Sequence, residues 1–473
     1  MKKAVLVGIQ LPSMSDHDLQ SSLQELSRLV NTLGYEVVGQ LTQKRSSERG
    51  GTVVGEGKLK ELAKWTGGNG TVASMAVRKL SKAALKFDKN KPEEEVEEET
   101  AEEVSVELEE AEILEESTAQ TQQPVQEADV VIFDMDLTPS QLRNLESALG
   151  KSVIDRTGVI IEIFSRHART KAARLQVEIA RLAYLTPRIR EAGVGDGRGG
   201  GGTSGRGGGE SALELDKRNI RDRIKELKNE LAAIGQEHLT RRSRRQQEIS
   251  VALVGYTNAG KSSLMRAMTG SEVLIADKLF ATLDTTIRPM FPESRPKILI
   301  SDTVGFIKKL PHDLVASFKS TLDEALSASL LLFVVDSADP SFRSQLEVTK
   351  KVLGEVGATD VPHLLVLNKQ DKLKDYEKEE LQKEFPDAFL LSTRSKEDLT
   401  ALREKILSYF EEDMVDEEIL VPYFAKGIIG EIRSRMRVLS EKYDENGAKL
   451  LVRATPENLK KIKGQITTAI RRQ

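Results

Sequence analysis

An apolar run, Ile249 to Val254, feeds directly into Gly255-Tyr-Thr-Asn-Ala-Gly260-Lys261-Ser262, and a helical pattern follows from Ser263 to Met268. Few eight-residue stretches restrict a fold as much. A strand ending in G-x-x-x-x-G-K-[ST] that passes straight into a helix makes a loop whose backbone N–H groups converge on an anion. Glycines at 255 and 260 let that backbone close around phosphate oxygens, Lys261 reaches the β- and γ-phosphates, and the Ser262 hydroxyl is placed to hold Mg2+. Gly255, Tyr256, Thr257, Asn258, Ala259, Gly260, Lys261 and Ser262 are therefore the expected phosphate cradle.

Two further elements follow in the order this chemistry needs. Lys297 to Ser301 has a strand pattern and leads into Asp302-Thr303-Val304-Gly305, where Asp302 would hold Mg2+ through water and the Gly305 N–H would sense the γ-phosphate. Leu364 to Leu367 is a strand ending in Asn368-Lys369-Gln370-Asp371. The Asp371 carboxylate can accept from both N1–H and the 2-amino group of guanine. Adenine has no donor at either place and would leave a buried carboxylate unpaired. Downstream, Ser392-Thr393-Arg394 occupies the place of a loop that supports the guanine carbonyl through backbone N–H groups, although its usual form is Ser-Ala and Thr393 departs from it. The expectation is a GTP-binding domain over residues 249–414 that hydrolyses GTP to GDP and phosphate; the bland alternative is a decayed site that binds nothing.

The remainder of the chain sets the context. At 473 residues and 52.4 kDa, two to four domains are expected. The absence of cysteine excludes a disulfide scaffold, a thiol nucleophile and a thiolate metal site, and five histidines with no ligand spacing argue against a zinc enzyme. The longest apolar run, Leu330 to Val335, has the length of a buried strand rather than a membrane span. Lys2 and Lys3 precede only Ala4 to Val7, too short for a signal peptide, so a cytoplasmic protein without membrane insertion is expected.

Residues 1–165 read as an α/β domain: strand at Ala4 to Gln10, helix from Asp16 to Leu33 capped by Asp16 and ended by Gly34, strand at Glu36 to Leu41. Strand returns at Val130 to Phe133, and Thr138-Pro139 opens a helix. Between them, residues 89–127 collapse to Glu, Thr and Gln and are expected to be a disordered insertion. Fourteen glutamates and no Lys or Arg lie in 93–116, so the chain's net −4 is +10 without them.

That excess is concentrated in a region expected to be a helical hairpin, 166–248: Arg166 to Arg245 holds nineteen Lys/Arg against ten Asp/Glu. Such a stretch suits a polyanion such as RNA, or is simply a solvated helix face. A long basic helix, Arg166 to Arg190, is expected to end near Pro187, followed by a loop at 193–209 with eleven glycines in seventeen residues. Ile220, Ile224, Leu227, Leu231 and Ile234 then recur at heptad spacing, predicting a helix over Ser211 to His238 that packs antiparallel on the first, or separately on another domain. That seam can close within a chain as readily as between chains; a monomer is expected. Residues 415–473 form a small α+β tail, with Ile428 to Tyr443 helical, Lys449 to Arg453 a strand, and a helix starting at Thr455 to Leu459. Its basic end, Lys460 to Arg472, is a second candidate polyanion contact. The fold class expected is a multidomain α/β protein: a P-loop GTPase domain with a mixed sheet, preceded by an α/β domain and a hairpin.

Several stretches carry a resemblance. Asp155-Arg156-Thr157 through Arg166-His-Ala-Arg169-Thr170 and Leu175-Gln-Val-Glu178, the phosphate loop, Leu279-Phe-Ala-Thr282-Leu-Asp284, and Asp302-Thr-Val-Gly-Phe306 with Leu310-Pro-His-Asp313 are similar to the HflX family of ribosome-associated GTPases, within the translation-factor-type (Obg-HflX) superfamily. The resemblance covers most of the chain and leaves out the acidic insertion. It implies that Phe280, Ala281, Thr282, Leu283 and Asp284 form the first switch, with Thr282 closing on Mg2+ and the γ-phosphate; local sequence does not choose among Thr282, Thr285 and Thr286. Lys261, Thr282 and Gly305 are then the expected catalytic groups, with Ser262 and Thr282 on the metal. It also implies binding to the large (50S) ribosomal subunit and its RNA, with a role in translation, in splitting or rescuing stalled ribosomes, or in ribosome biogenesis. Two departures stand out: Thr285 replaces a usual proline, and Gly207-Gly-Gly-Glu210-Ser-Ala replaces Gly-Pro-Gly-Glu-Thr-Gln.

Ras-like GTPases place a glutamine directly after Asp-x-x-Gly to orient the attacking water; here Phe306 stands there and cannot hydrogen-bond water. Slow intrinsic hydrolysis, stimulated by the ribosome, is expected. The competing functions are an ATP-driven RNA-remodelling activity in the amino-terminal domain, for which Gly55-Glu-Gly57-Lys58 offers only a short turn, and a GTP-controlled scaffold whose acidic segment recruits a basic protein.

Overall fold

The computed structural model describes residues 2–72, 127–189, 212–245, 249–270, 279–280, 285–295, 297–309, 326–412, 414–425 and 427–471. The acidic insertion at 89–127 (but for its last residue), the glycine-rich loop, the switch residues 281–284 and Leu310 to Asp313 lie outside them. Two compact units divide the chain: residues 1–23 with 34–155, and residues 24–33 with 156–473. The architecture is mixed α/β.

In the first unit four parallel strands lie in the order β2-β1-β3-β4: β1 is Lys2–Gln10, β2 Tyr35–Lys44, β3 Val130–Phe133 and β4 Ser152–Asp155. Continuous apolar runs in β1 and β3 fit strands covered on both faces. Helix α1, Asp16–Thr32, is capped by Ser15, whose Oγ accepts from the Asp18 N–H at 3.1 Å. Asp16, the expected cap, instead accepts from Gln10 Nε2 at 2.5 Å, because its side chain already lies inside the first turn. The Gly55-Glu-Gly57-Lys58 turn is the start of a further helix, α2, Glu56–Thr66, whose Leu62 and Trp65 are buried. Thr138 and Pro139 open α3, Pro139–Leu149, through a full capping box with Gln141.

In the second unit the helix expected over Arg166 to Arg190 starts five residues late and is preceded by another. Helix α4 runs Arg156–His167 and α5 Lys171–Leu185, because Thr170 turns extended and its hydroxyl accepts from the Ala173 N–H at 3.1 Å. That is a helix start signal inside a stretch whose charge pattern is continuous. Helix α6, Ala212–Arg245, carries the heptad seam, and Leu227 is fully buried against Leu175 and Ile179, flanked by Ile224, Leu231 and Ile234. Ion pairs Lys171–Glu230 at 3.3 Å and Glu178–Arg223 at 3.4 Å run in opposite senses along the two helices, so the hairpin is antiparallel.

A six-stranded sheet follows, β10-β9-β8-β5-β7-β6, parallel except for β6. Its strands are β5 Ile249–Val254, β6 Thr286–Pro289, β7 Ile298–Asp302, β8 Leu330–Asp336, β9 His363–Asn368 and β10 Phe389–Leu390. Helices α7 Lys261–Thr269, α8 Phe342–Val356, α9 Asp375–Glu384 and α10 Lys396–Glu411 follow β5, β8, β9 and β10. Chain order reverses at β5, with β7 on one side and β8 on the other, which opens a crevice at its carboxyl end.

The tail is an antiparallel sheet β11-β13-β12, made of β11 Val415–Val421, β12 Arg437–Asp444 and β13 Gly447–Ala454, with α11 Ile428–Arg435 and α12 Pro456–Arg471. The helix expected over Ile428 to Tyr443 stops at Arg435, and its second half is β12. The reason is the turn Asp444-Glu-Asn-Gly447: Asp444 Oδ1 accepts from the N–H groups of Asn446 and Gly447, and closes a hairpin that pulls 437–444 into the sheet. At the basic end Lys460, Lys461, Lys463 and Arg471 are exposed, and Lys463 pairs with Glu417. Among the described residues no helix is long and apolar enough to cross a membrane.

Candidate functional site

The crevice at β5 is lined first by the glycine-bounded loop. Gly255 has φ +150° and a Cβ there would lie 2.1 Å from the Val334 carbonyl of β8. Gly260, φ +97°, would collide with Asn368 Nδ2 at 2.2 Å. Both positions thus need glycine for space as well as for backbone angle. Gly260 stands at the N-cap of α7 and, having no side chain, makes no cap hydrogen bond of its own; the N-terminus of the helix faces the crevice. Lys261 Nζ donates to the carbonyls of Gly255 at 3.0 Å and Tyr256 at 2.8 Å. Burial pushes this ammonium down to about 8, and a phosphate beside it would restore the charge.

Ser262 and Asp302 meet across the crevice, with the Ser262 hydroxyl donating to Asp302 Oδ2 at 2.7 Å. Asp302 ends β7 and is fully buried. Two hard oxygen donors, one in the first turn of α7 and one at the end of β7, are a donor set that suits Mg2+ bound together with phosphates. Gly305 packs so closely that a Cβ would sit 2.9 Å from both Lys261 Nζ and the Thr257 Cα. The loop after it is tied back by backbone: Thr257 N–H donates to the Phe306 carbonyl at 2.8 Å, and Phe306 N–H to the Gly255 carbonyl at 3.1 Å. Thr303 Oγ1 donates to the Leu253 carbonyl at 2.7 Å, and Val304 and Phe306 are buried.

At the far end, Asn368 is fully buried and bridges two loops: its Nδ2 donates to the Ala259 carbonyl at 2.9 Å, while its Oδ1 accepts from the Lys369 N–H at 2.8 Å. Lys369, at φ +66°, donates to the Asn258 carbonyl at 2.8 Å and to Asp336 Oδ2 at 2.6 Å, so its stem lies along the phosphate loop. Asp371 accepts from Ser392 Oγ at 2.7 Å, and Arg394 Nη1 stands 3.6 Å from its other oxygen. The Ser392 hydrogen bond, with weaker help from Arg394 and Lys372, holds this carboxyl below its ordinary value, so it is ionised at neutral pH. The Ser392 N–H donates to Asp398 Oδ2 at 2.7 Å and the Arg394 N–H to Ser392 Oγ at 3.3 Å.

Of the first-switch residues, Ala281, Thr282, Leu283 and Asp284 lie outside the described residues. Phe280, at φ +58°, buries its ring edge-on against Phe164 of α4 at a centroid distance of 4.5 Å, so its backbone is what it can offer a nucleotide. Sequence reasoning missed Glu25 and Arg156, which meet the Tyr256 hydroxyl and Lys308 behind the phosphate loop. Nothing local marks Glu25, which lies 231 positions away from Tyr256 in the chain.

A phosphate loop on a parallel-sheet crevice, a Ser–Asp oxygen pair beside it and an Asn-Lys-x-Asp strand end bonded to it define a P-loop GTPase domain. Comparison with known proteins agrees over most of the chain. The family model for 50S ribosome-binding GTPases matches residues 250–369, that for the GTP-binding GTPase middle region 167–245, and that for the GTP-binding GTPase N-terminal region 20–83 and 109–165. The GTPase HflX of Gluconacetobacter diazotrophicus is 53% identical over 97% of this chain and 97% of its own. That of Caldanaerobacter subterraneus subsp. tengcongensis is 35% identical over 96% and 92%, and that of Escherichia coli 37% over 80% and 75%. This chain belongs to the HflX GTPase family, and its activity is hydrolysis of GTP.

Proposed function

We propose that this chain is a GTP-switched factor of the large ribosomal subunit, acting as a cytoplasmic monomer. The observation that carries the reading is a coincidence: the segment matched as a 50S ribosome-binding GTPase, 250–369, contains most of the residues that build the nucleotide crevice. The adjoining hairpin is rich in Lys and Arg, which suits contact with ribosomal RNA.

In this reading Gly255 to Ser262 bind the phosphates, and Lys261 neutralises charge that develops on the β–γ bridge. Ser262 and Thr282 would hold Mg2+, with Asp302 behind Ser262 at 2.7 Å; when bound, the ion draws charge from the phosphate oxygens. Asp302, Thr303, Val304 and Gly305 form the second switch, Gly305 through its N–H. Asn368, Lys369 and Asp371 select guanine. Because the Ser392 and Arg394 N–H groups have protein acceptors, Thr393 is the residue of that loop left to support the base carbonyl. Phe306, buried and backbone-paired, positions no water, so hydrolysis is slow until the ribosome orders the switches.

Co-sedimentation with large subunits in a non-hydrolysable GTP analogue, in GDP and without nucleotide tests the partner. Retention confined to the analogue, with turnover stimulated by added subunits, is the expected result, and incubation with whole ribosomes then reads out splitting. Absence from the pellet in all three lanes would leave a GTPase whose partner lies elsewhere.

A further inference from the structure

Tyr256 occupies a position of the phosphate loop where the motif asks for no particular side chain, yet its ring is buried. Its hydroxyl stands in a closed ring of contacts. The Lys308 N–H donates to it at 2.7 Å, and it donates in turn to Glu25 Oε1. Glu25 Oε2 accepts from Arg156 Nη2, and the same nitrogen donates to the Lys308 carbonyl at 3.2 Å. Arg156 is 1% exposed and the Glu25 side chain 12%, so water reaches the ring only at its edge. Glu25 and Arg156 neutralise each other there, which a buried pair requires. The phenol keeps its proton, since burial and then the Glu25 charge push its pKa above the ordinary value. It can therefore donate to Glu25 and still accept from Lys308.

The backbone around the same residue is committed as well. Gly255 and Thr257, on either side of Tyr256, are the two residues whose backbone pairs with Phe306. The segment 306–308 is thus held twice at this point, by the main chain of the two neighbours of Tyr256 and by its hydroxyl. The residue just before that segment is Gly305, packed against Lys261 and Thr257. Whatever fixes 306–308 fixes where the Gly305 N–H can go.

We infer that the Tyr256 hydroxyl, backed by Glu25 and Arg156, is a positioning group for GTP hydrolysis: it locks Lys308, and through it Gly305, in register with the phosphate loop. GDP presents no γ-phosphate to Gly305. The lock therefore contributes to GTP binding and turnover and not to GDP binding, whereas a merely space-filling tyrosine would affect both alike.

The test is Tyr256→Phe in the full chain, which keeps the ring and removes the hydroxyl. Losing one buried hydrogen-bonded contact corresponds to about three- to ten-fold. Affinity for a non-hydrolysable GTP analogue and kcat should each fall by that factor, while GDP affinity stays within about two-fold. Glu25→Gln retains an acceptor for the hydroxyl and should restore part of the ratio seen in Glu25→Ala. Equal weakening of both nucleotides, or an unchanged analogue-to-GDP ratio with only a lowered Tm, overturns the inference. Should Tyr256→Phe fail to fold, Arg156→Lys reads the same ratio, because it keeps the charge and withdraws the Lys308 contact.

Discussion

Asp371→Asn is the sharpest perturbation of the candidate site, because it exchanges one oxygen for an NH2 group and alters no volume. The carboxylate can accept two hydrogen bonds from guanine, and each bond to a charged group is worth about 1.5–3 kcal/mol. Full loss of both would cost about two to four powers of ten in affinity. The structure places the outcome at the low end. The Asp371 side chain is 33% exposed, so water screens part of its charge, and one oxygen is already shared with Ser392. A loss of about a hundred-fold for GDP is expected. The asparagine amide can instead donate to the 2-oxo group of xanthine, so xanthosine diphosphate should gain affinity while ADP stays excluded. Competition of unlabelled GDP, xanthosine diphosphate and ADP against a fluorescent guanine nucleotide reads all three. GDP affinity unchanged within about three-fold would refute the assignment of Asp371 as the base reader, since it removes the charge on which that magnitude rests.

Four other outcomes are expected. Gly260→Ala places a Cβ 2.2 Å from Asn368 Nδ2 and forces φ +97° on a side chain, so isothermal titration should show loss of nucleotide binding with the fold retained by circular dichroism. Lys261 titrates near 8 in the absence of phosphate against an ordinary 10.5, so binding takes up a proton between those values and GDP affinity should fall as pH rises through 8. The same depression means that the unfolded chain binds more protons in that window; this group's contribution to stability therefore rises with pH there, as chemical unfolding of nucleotide-free protein should detect. Leu227→Ala empties a site in a small cluster with Leu175 and Ile179 and should lower hairpin stability by about 2–3 kcal/mol, measured as hydrogen exchange of α5 and α6.

The nucleotide crevice was legible from sequence because its parts are local. Each of Gly255 to Ser262, Asp302 to Gly305 and Asn368 to Asp371 is a short peptide at a strand end, where glycine, Lys and Asp have few physical reasons to recur together. The hairpin was legible for a similar reason, since Ile224, Leu227, Leu231 and Ile234 repeat at a spacing that only a buried helix stripe explains. Elements fixed by a single side chain were harder. Thr170 moves the start of the helix expected from Arg166 to Lys171, and the Asp444 to Gly447 turn converts the end of another into β12. Propensity over a window averages such residues away.

Sequence by itself thus determined the class of chemistry, the choice of guanine and the family, all written in contiguous motifs. Only the tertiary structure decided what surrounds those motifs. It pairs Phe306 with Gly255 and Thr257, turns the Ser392 N–H toward Asp398, and gathers Glu25, Arg156 and Lys308 about the Tyr256 hydroxyl. Buried polar groups must find partners wherever the fold brings them, and those partners sit at sequence separations of 131 for Glu25 and Arg156 and 52 for Tyr256 and Lys308. No periodicity spans such distances; packing alone sets them.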